Sequence, residues 1–402
     1  MSFDFTSIID RRGKDAFAVD WIGRIPGIAP ELPKEGFDCI PMWVADMNFP
    51  VAPAIVETLT ERIRHPLFGY FELSDTYFES IIRWQERSCQ VKDLKAEHIC
   101  MDNGVMGGLV SALKVFCSPG DPVLLHAPVY RGFKDTLKFC GYQCIYSWLV
   151  QDENHIWRMD FADMEQKIVE NGIHAAVLCS PHNPCGRVWE REELAQAMEV
   201  FRKHNVFVVS DEIWSDLIFE GHRHIPVQSI SEDARSRTVA LYAPTKTFNL
   251  AGITGSYRII YNSWIRDRIE KEAEMTLYNN KNVLSMHALI GAYSPKSIPW
   301  VRELCSVLEA NMRYACAYIR KHFPGVFLTE TDGTYMVFID CNEWCRDHGK
   351  TLDEVLKAGW QVGVGWQDGR LFEADFHIRM NLALPFSKVQ EAFERLRAYV
   401  FC

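Results

Sequence analysis

Through the middle of the chain, short apolar runs alternate with amphipathic stretches. Residues 123–125, 175–179, 206–210, 239–242 and 257–261 are apolar almost throughout, the pattern of strands buried on both faces of a sheet. Between them, EELAQAMEVFRKH places Leu194, Ala197, Met198 and Phe201 at relative positions 0, 3, 4 and 7, which is one apolar stripe of a helix. Strand–helix alternation of this kind predicts an α/β fold with a mainly parallel sheet flanked by helices. The C-terminal third reads differently. A long helical stretch over 300–322 precedes two strand-like runs, 335–340 and 377–384. Two capping-box patterns, Thr351 with Glu354 and Ser387 with Gln390, predict helix starts. The chain therefore divides into a large domain over 46–292 and a smaller α+β domain over 293–402, joined near AYSPKSIP, with the aromatic, proline-punctuated segment 1–45 belonging to the small domain.

The chain has 402 residues, 48% of them hydrophobic and 24% charged, with a net charge of −10. Those values exclude a disordered or collagen-like chain. The acidic balance argues against a nucleic-acid partner, which would call for a basic surplus. No uncharged apolar run approaches the ~18–20 residues of a membrane helix, and the charged N-terminus, with Asp4, Asp10, Arg11 and Arg12, does not read as a signal peptide. The 13 cysteines are scattered, several inside apolar runs. They read as reduced thiols in a cytoplasmic protein rather than as a disulfide framework. The Cys140/Cys144 and Cys341/Cys345 spacings lack the further ligands that zinc requires, and no metal site is expected.

In open parallel sheets, ligands bind beyond the carboxyl ends of the strands, so residues directly after strand-like runs carry the chemistry. After 175–179 comes SPHNPCGR with Asn183. After 206–210 comes Asp211-Glu212-Ile213-Trp214. After 239–242 comes Ala243-Pro244-Thr245-Lys246, and after 123–125 comes HAPVYRGF with Tyr130. A lone lysine at a strand end reads as a surface residue. With an amide and a carboxylate each behind its own strand, Lys246 reads instead as a Schiff-base lysine. Pyridoxal phosphate needs such a lysine, an acid to keep its pyridine nitrogen protonated and a donor for its phenolate oxygen. NGVMGGLVSALKVF adds Gly104 before a helix, so that the N–H groups of Val105 and Met106 would face an anion. Without the other residues, that stretch is an ordinary glycine-rich turn.

PMWVADMNFP, FGYF, NGVMGGL, PVYRGF, SPHNPCGRVW, SDEIWSDL, APTKTFNLAG and HIRMNLALP, in this order, resemble the pyridoxal-phosphate enzymes of fold type I. The similarity is to the cystathionine β-lyase-like C–S lyases, a branch related to the class I and II aminotransferases. The resemblance implies a large and a small domain. It gives Lys246 as the lysine that holds the cofactor, Asp211 as the partner of the ring nitrogen, Asn183 as the donor to the phenolate oxygen and Tyr130 as the stacking ring. It gives Arg379 as the residue that binds the substrate α-carboxylate, for which a guanidinium fork is suited, and Tyr70 as a residue reaching the cofactor phosphate of a neighbouring subunit in a homodimer with shared sites.

Two positions depart from the aminotransferase pattern. An arginine that many relatives place on the phosphate is Thr254 here, which shifts anion binding toward backbone amides, Thr245 and Tyr70. Trp214 stands where aminotransferases carry tyrosine and lyases often histidine. An indole N–H donates but cannot accept, so Trp214 either donates to the ring oxygen or packs as an apolar wall. His222 and His224 read as an exposed turn, and Glu212 as pointing away from Asp211 because adjacent strand residues face opposite sides. The implied reaction is α,β-elimination on cystathionine or a cysteine S-conjugate, giving pyruvate, ammonia and a thiol. An aminotransferase acting on an amino acid and a 2-oxo acid uses the same residues, and a cofactor-binding sensor would not need Arg379.

Overall fold

The computed structural model describes residues 2–276 and 282–402. The chain forms two compact units. One comprises 1–50, 183–186 and 302–402, the other 51–182 and 187–301. The crossings at 50/51 and 301/302 compare with 45/46 and 292/293 in the sequence reading. The stretch expected as a linker is folded, since Val283–Ala292, a 3-10 turn at Pro295–Ser297 and the helix Ile298–His322 follow one another closely. Its prolines serve as helix-start residues, where a missing N–H costs nothing.

The larger unit is built on a seven-stranded sheet. In chain order its strands are β1 (Ile99–Asp102), β2 (Pro122–Ala127), β3 (Gln143–Trp148), β4 (Ala175–Cys179), β5 (Phe207–Asp211), β6 (Thr238–Tyr242) and β7 (Ser256–Ile259). The spatial order is β1-β7-β6-β5-β4-β2-β3. Pairs β2–β3, β2–β4, β4–β5 and β5–β6 are parallel. Only β7 runs against its neighbours. The central strands β4 and β6 are buried at every position, as their unbroken apolar sequences require. Strands β1 and β3 are not apparent in the hydrophobic pattern. The first is short and ends on Asp102, and the second is a partly exposed edge strand of mixed polarity. Asp102 is tolerated because Arg258 on β7 pairs with it at 2.8 Å, both side chains fully buried. Removing either partner would leave a buried uncompensated charge, a cost of about 3–5 kcal/mol. The pair fixes the sheet edge just before the chain turns into Gly104.

In the smaller unit, a three-stranded sheet contains Met336–Asp340, His377–Asn381 and Gln367–Asp368 in antiparallel register. The N-terminal segment is woven into it. Ile40–Pro41 pairs in parallel with Val364–Gly365, and the Asn381 amide donates to the carbonyls of Val44 and Asp46. The Tyr335 hydroxyl donates to the Ala45 carbonyl at 2.9 Å. The Thr351–Glu354 capping box is present. The one expected at Ser387 is not: Pro385 precedes a helix that already begins at Phe386, so Ser387 lies inside the first turn and caps nothing.

Candidate active site

The strand ends of the larger unit hold Asp211, Lys246, Trp214 and Tyr130, all singled out by sequence, with Thr245, Val105 and Met106 beside them. Asp211 is the last residue of β5 and is 5% exposed. Burial pushes its carboxyl up to about 7, against the partial opposing effects of the Ile213 amide and the Lys246 charge. Lys246 lies in the turn after β6, the strand beside β5, and is half-buried. Its Nζ is 5.7 Å from the centre of the Trp214 ring, within the range of a cation–π contact. Trp214 is itself 2% exposed, so it stands as an aromatic wall of the lysine's surroundings. Thr247, the residue after Lys246, donates to Asp216 at 3.0 Å, and Trp84 Nε1 donates to the same carboxylate at 2.9 Å. This second acid, half-buried, ties down the residue that follows the lysine.

Tyr130 precedes the helix Arg131–Phe139, following β2. Gly132 is required beneath it, because a Cβ there would lie 2.3 Å from the tyrosine ring. After β1 the chain passes through Gly104, at φ +102, into the helix Val105–Phe116. No side chain caps that end, so the amides of Val105 and Met106 face outward with the positive end of the helix dipole. The Gly104 amide donates to Ser256 Oγ at 3.1 Å. Thr254 stands beside Gly104, and Thr245 is half-buried next to the lysine. An uncapped helix start, a buried acid and a lysine on one sheet end match the phosphate, ring nitrogen and aldehyde of pyridoxal phosphate in kind. Tyr70 lies in the loop after Pro53–Arg64, fully exposed.

In the smaller unit Arg379 and Asn183 form a group of their own. The guanidinium, 3% exposed, donates to Asn183 Oδ1 at 3.1 Å, to the Trp43 carbonyl at 3.3 Å and to Gln367 Oε1. It also lies over the Phe372 ring at 4.4 Å. A guanidinium only donates, so the Asn183 oxygen must face it and the amide N–H groups face elsewhere. This orientation leaves the Asn183 N–H groups as donors. Gln367 and the Trp43 carbonyl are not legible from sequence as partners of Arg379, though Trp43 stands out there. No His/Cys/Asp/Glu cluster suited to a metal occurs among the described residues. None of the 13 cysteines is in a disulfide. His224, expected on an exposed turn, is instead buried and bonded to Glu212 at 2.7 Å.

A family profile described as aminotransferase class I and II matches residues 38–396. The chain belongs to this family. It is 31% identical to cystathionine β-lyase PatB of Bacillus subtilis over 99% of both chains. Its structure aligns with cystalysin from Treponema denticola, which contains a pyridoxal 5'-phosphate cofactor, at a TM-score of 0.90 and 29% identity over 99% of this chain and 98% of the other. The pyridoxal-phosphate-bound C–S lyase of Staphylococcus hominis aligns at 0.88 and 25% identity, over 99% and 98%. The fold is that of the fold type I pyridoxal-phosphate enzymes.

Proposed function

We propose that this chain, as a pyridoxal-phosphate enzyme of the carbon–sulfur lyase type, cleaves cystathionine and related cysteine S-conjugates by α,β-elimination to pyruvate, ammonia and a thiol. The cofactor part of this reading is carried by the placement of Asp211 and Lys246 at the ends of adjacent buried strands, the acid raised to about 7 and in electrostatic contact with the amine; the lyase part is supported by the similarity to cystathionine β-lyase PatB and to cystalysin. When bound, pyridoxal phosphate supplies an electron sink for negative charge at the substrate Cα. Asp211 holds a proton toward the ring nitrogen; its desolvated carboxylate has a strong preference for a cationic neighbour. Lys246 would hold the cofactor aldehyde, and its Nζ, as a free amine, would accept the substrate Cα proton. Arg379 binds the α-carboxylate through its guanidinium charge, with Asn183, Gln367 and the Trp43 carbonyl setting the orientation of the group. Val105 and Met106 offer amides to the phosphate, with Thr245 and the partner chain's tyrosine completing the anion site in a homodimer. The C–S bond breaks with its electron pair leaving on sulfur, and water releases ammonia from the remaining three-carbon fragment.

The purified protein incubated with cystathionine and no oxo acid is expected to yield pyruvate and free thiol in equal amounts. Product that forms only after 2-oxoglutarate is added would overturn the lyase reading in favour of transamination. Lys246→Ala is expected to abolish the visible absorbance band and to lower turnover by at least ~10³-fold, in the range for loss of a residue that acts in the reaction itself.

A further inference from the structure

Glu212, set aside by the sequence pattern because it faces away from Asp211, lies in a dense buried cluster of polar groups. Its side chain is fully buried. One oxygen accepts from Ser210 Oγ at 2.9 Å and from the Val227 amide at 3.2 Å. The other meets His224 Nε2 at 2.7 Å and the Tyr242 hydroxyl. Four donors thus converge on one carboxylate from β5, from β6 and from the loop 224–227. His224 Nδ1 is buried without a partner, so an imidazole carrying its single proton on Nε2 satisfies every contact in the cluster. In that arrangement hydrogen bonds from four directions hold the Glu212 carboxylate. The titratable groups around it are Asp211 on its own strand, Tyr242, His224 and Cys89; Asp216 interacts with His224, and Lys246 with Asp211. The charge of Glu212 raises the proton affinity of Asp211, its Tyr242 neighbour and Cys89 alike.

We propose that Glu212 is a positioning residue for Asp211: its four-way anchored carboxylate fixes the tip of β5 and sets an acidic group on the residue next to the acid assigned to the cofactor ring. This rests on the cofactor reading above. A negative charge so placed favours protons on the ring nitrogen and on the nitrogen joining Lys246 to the cofactor, so it keeps the loaded protein in its protonated, yellow form to higher pH. A merely structural carboxylate would hold the strand without moving that titration.

The test is the midpoint pH of the visible band in the pyridoxal-phosphate-loaded protein. Glu212→Gln preserves shape and removes the charge, and is expected to lower the midpoint by about half a unit to one unit, the low end of a nearby-charge effect. Tyr242→Phe keeps the charge and removes a donor that partly neutralises it, so its midpoint is expected to stay or rise. An unmoved midpoint in a coloured Glu212→Gln protein, or a fall of equal size in both variants, overturns the role. If Glu212→Gln does not fold, a falling midpoint in Tyr242→Phe alone overturns it. A wild-type chain that takes up no pyridoxal phosphate refutes the cofactor reading instead, which separates the two failures.

Discussion

At the scale of single residues the site is assembled at a cost to the fold. Burial holds Asp211 near 7, above its ordinary carboxyl value of 3.8. A group whose affinity for protons is raised by folding stabilises the native state below its unfolded value and loses that contribution as pH rises through the folded one. The cofactor-free protein therefore loses stability through Asp211 between about pH 4 and pH 7. Asp211→Asn, with the same shape and no charge, is expected to be more stable than the wild type by about 2–4 kcal/mol at pH 8, with the gap closing toward pH 5. His126 and His182 push the other way. Burial lowers them to about 4 and about 3, so their contribution is lost on acidification from about 6.5 downward. They are common to both proteins and cancel in the difference. Urea midpoints of the two cofactor-free proteins at pH 5 and pH 8 measure it. A gap that does not change with pH would mean that Asp211 is not desolvated. The same substitution should leave the loaded protein without catalysis, since an amide cannot supply the proton-linked charge.

At the scale of elements, the turn proposed to take the cofactor phosphate depends on one glycine more than on any side chain. Gly108 sits in the first turn of Val105–Phe116, and a Cβ there would lie 2.6 Å from Asp102 Oδ2 and 3.3 Å from Leu241 Cδ2. Asp102 cannot withdraw, because Arg258 pins it in a fully buried pair. Gly108→Ala should shift the helix start off β1. The expected cost is about 1–3 kcal/mol, typical of overpacking, with a cofactor affinity that falls more than stability alone explains. Thermal midpoints with and without pyridoxal phosphate would separate the two effects; equal ligand-induced shifts in both proteins would refute the coupling. The legibility of these elements in sequence follows the same logic. Strands β2, β4, β5, β6 and β7 are visible because both their faces are buried, and Asn183, Asp211 and Lys246 stand out because each follows directly on such a strand. Strand β1 was hidden by its own charge, which needs a partner 156 residues away. The Glu212 cluster and the Arg379–Asn183 pair, 196 residues apart, were equally hidden, since no local periodicity reports a contact between distant segments. His224 was misread for that reason: two residues of alternating exposure look like a turn until Glu212 fills the space beside one of them.

At the scale of the whole molecule, the surface carries a feature that one chain leaves unexplained. The loop between Pro53–Arg64 and Asp75–Cys89 exposes Leu67 at 68%, Phe68 at 54% and Tyr70 at 112% of their reference areas. Clustered exposure of large apolar side chains marks a surface that another protein covers. The most economical partner is a second copy, related by a two-fold axis that would bring each Tyr70 to the other chain's site. That arrangement makes a prediction no monomer could satisfy. Lys246→Ala and Tyr70→Ala should each be inactive alone. If the chains are unfolded together and refolded at equal amounts, half of the dimers are mixed, and each mixed dimer carries one site with both residues intact. Activity should therefore recover to about a quarter of the wild-type level. A mixture no more active than its two parents, despite a dimer on sizing, would place Tyr70 at its own chain's site or at none. The recovery also distinguishes a shared site from simple stabilisation by association, because stabilisation alone cannot return a lysine to a chain that lacks one.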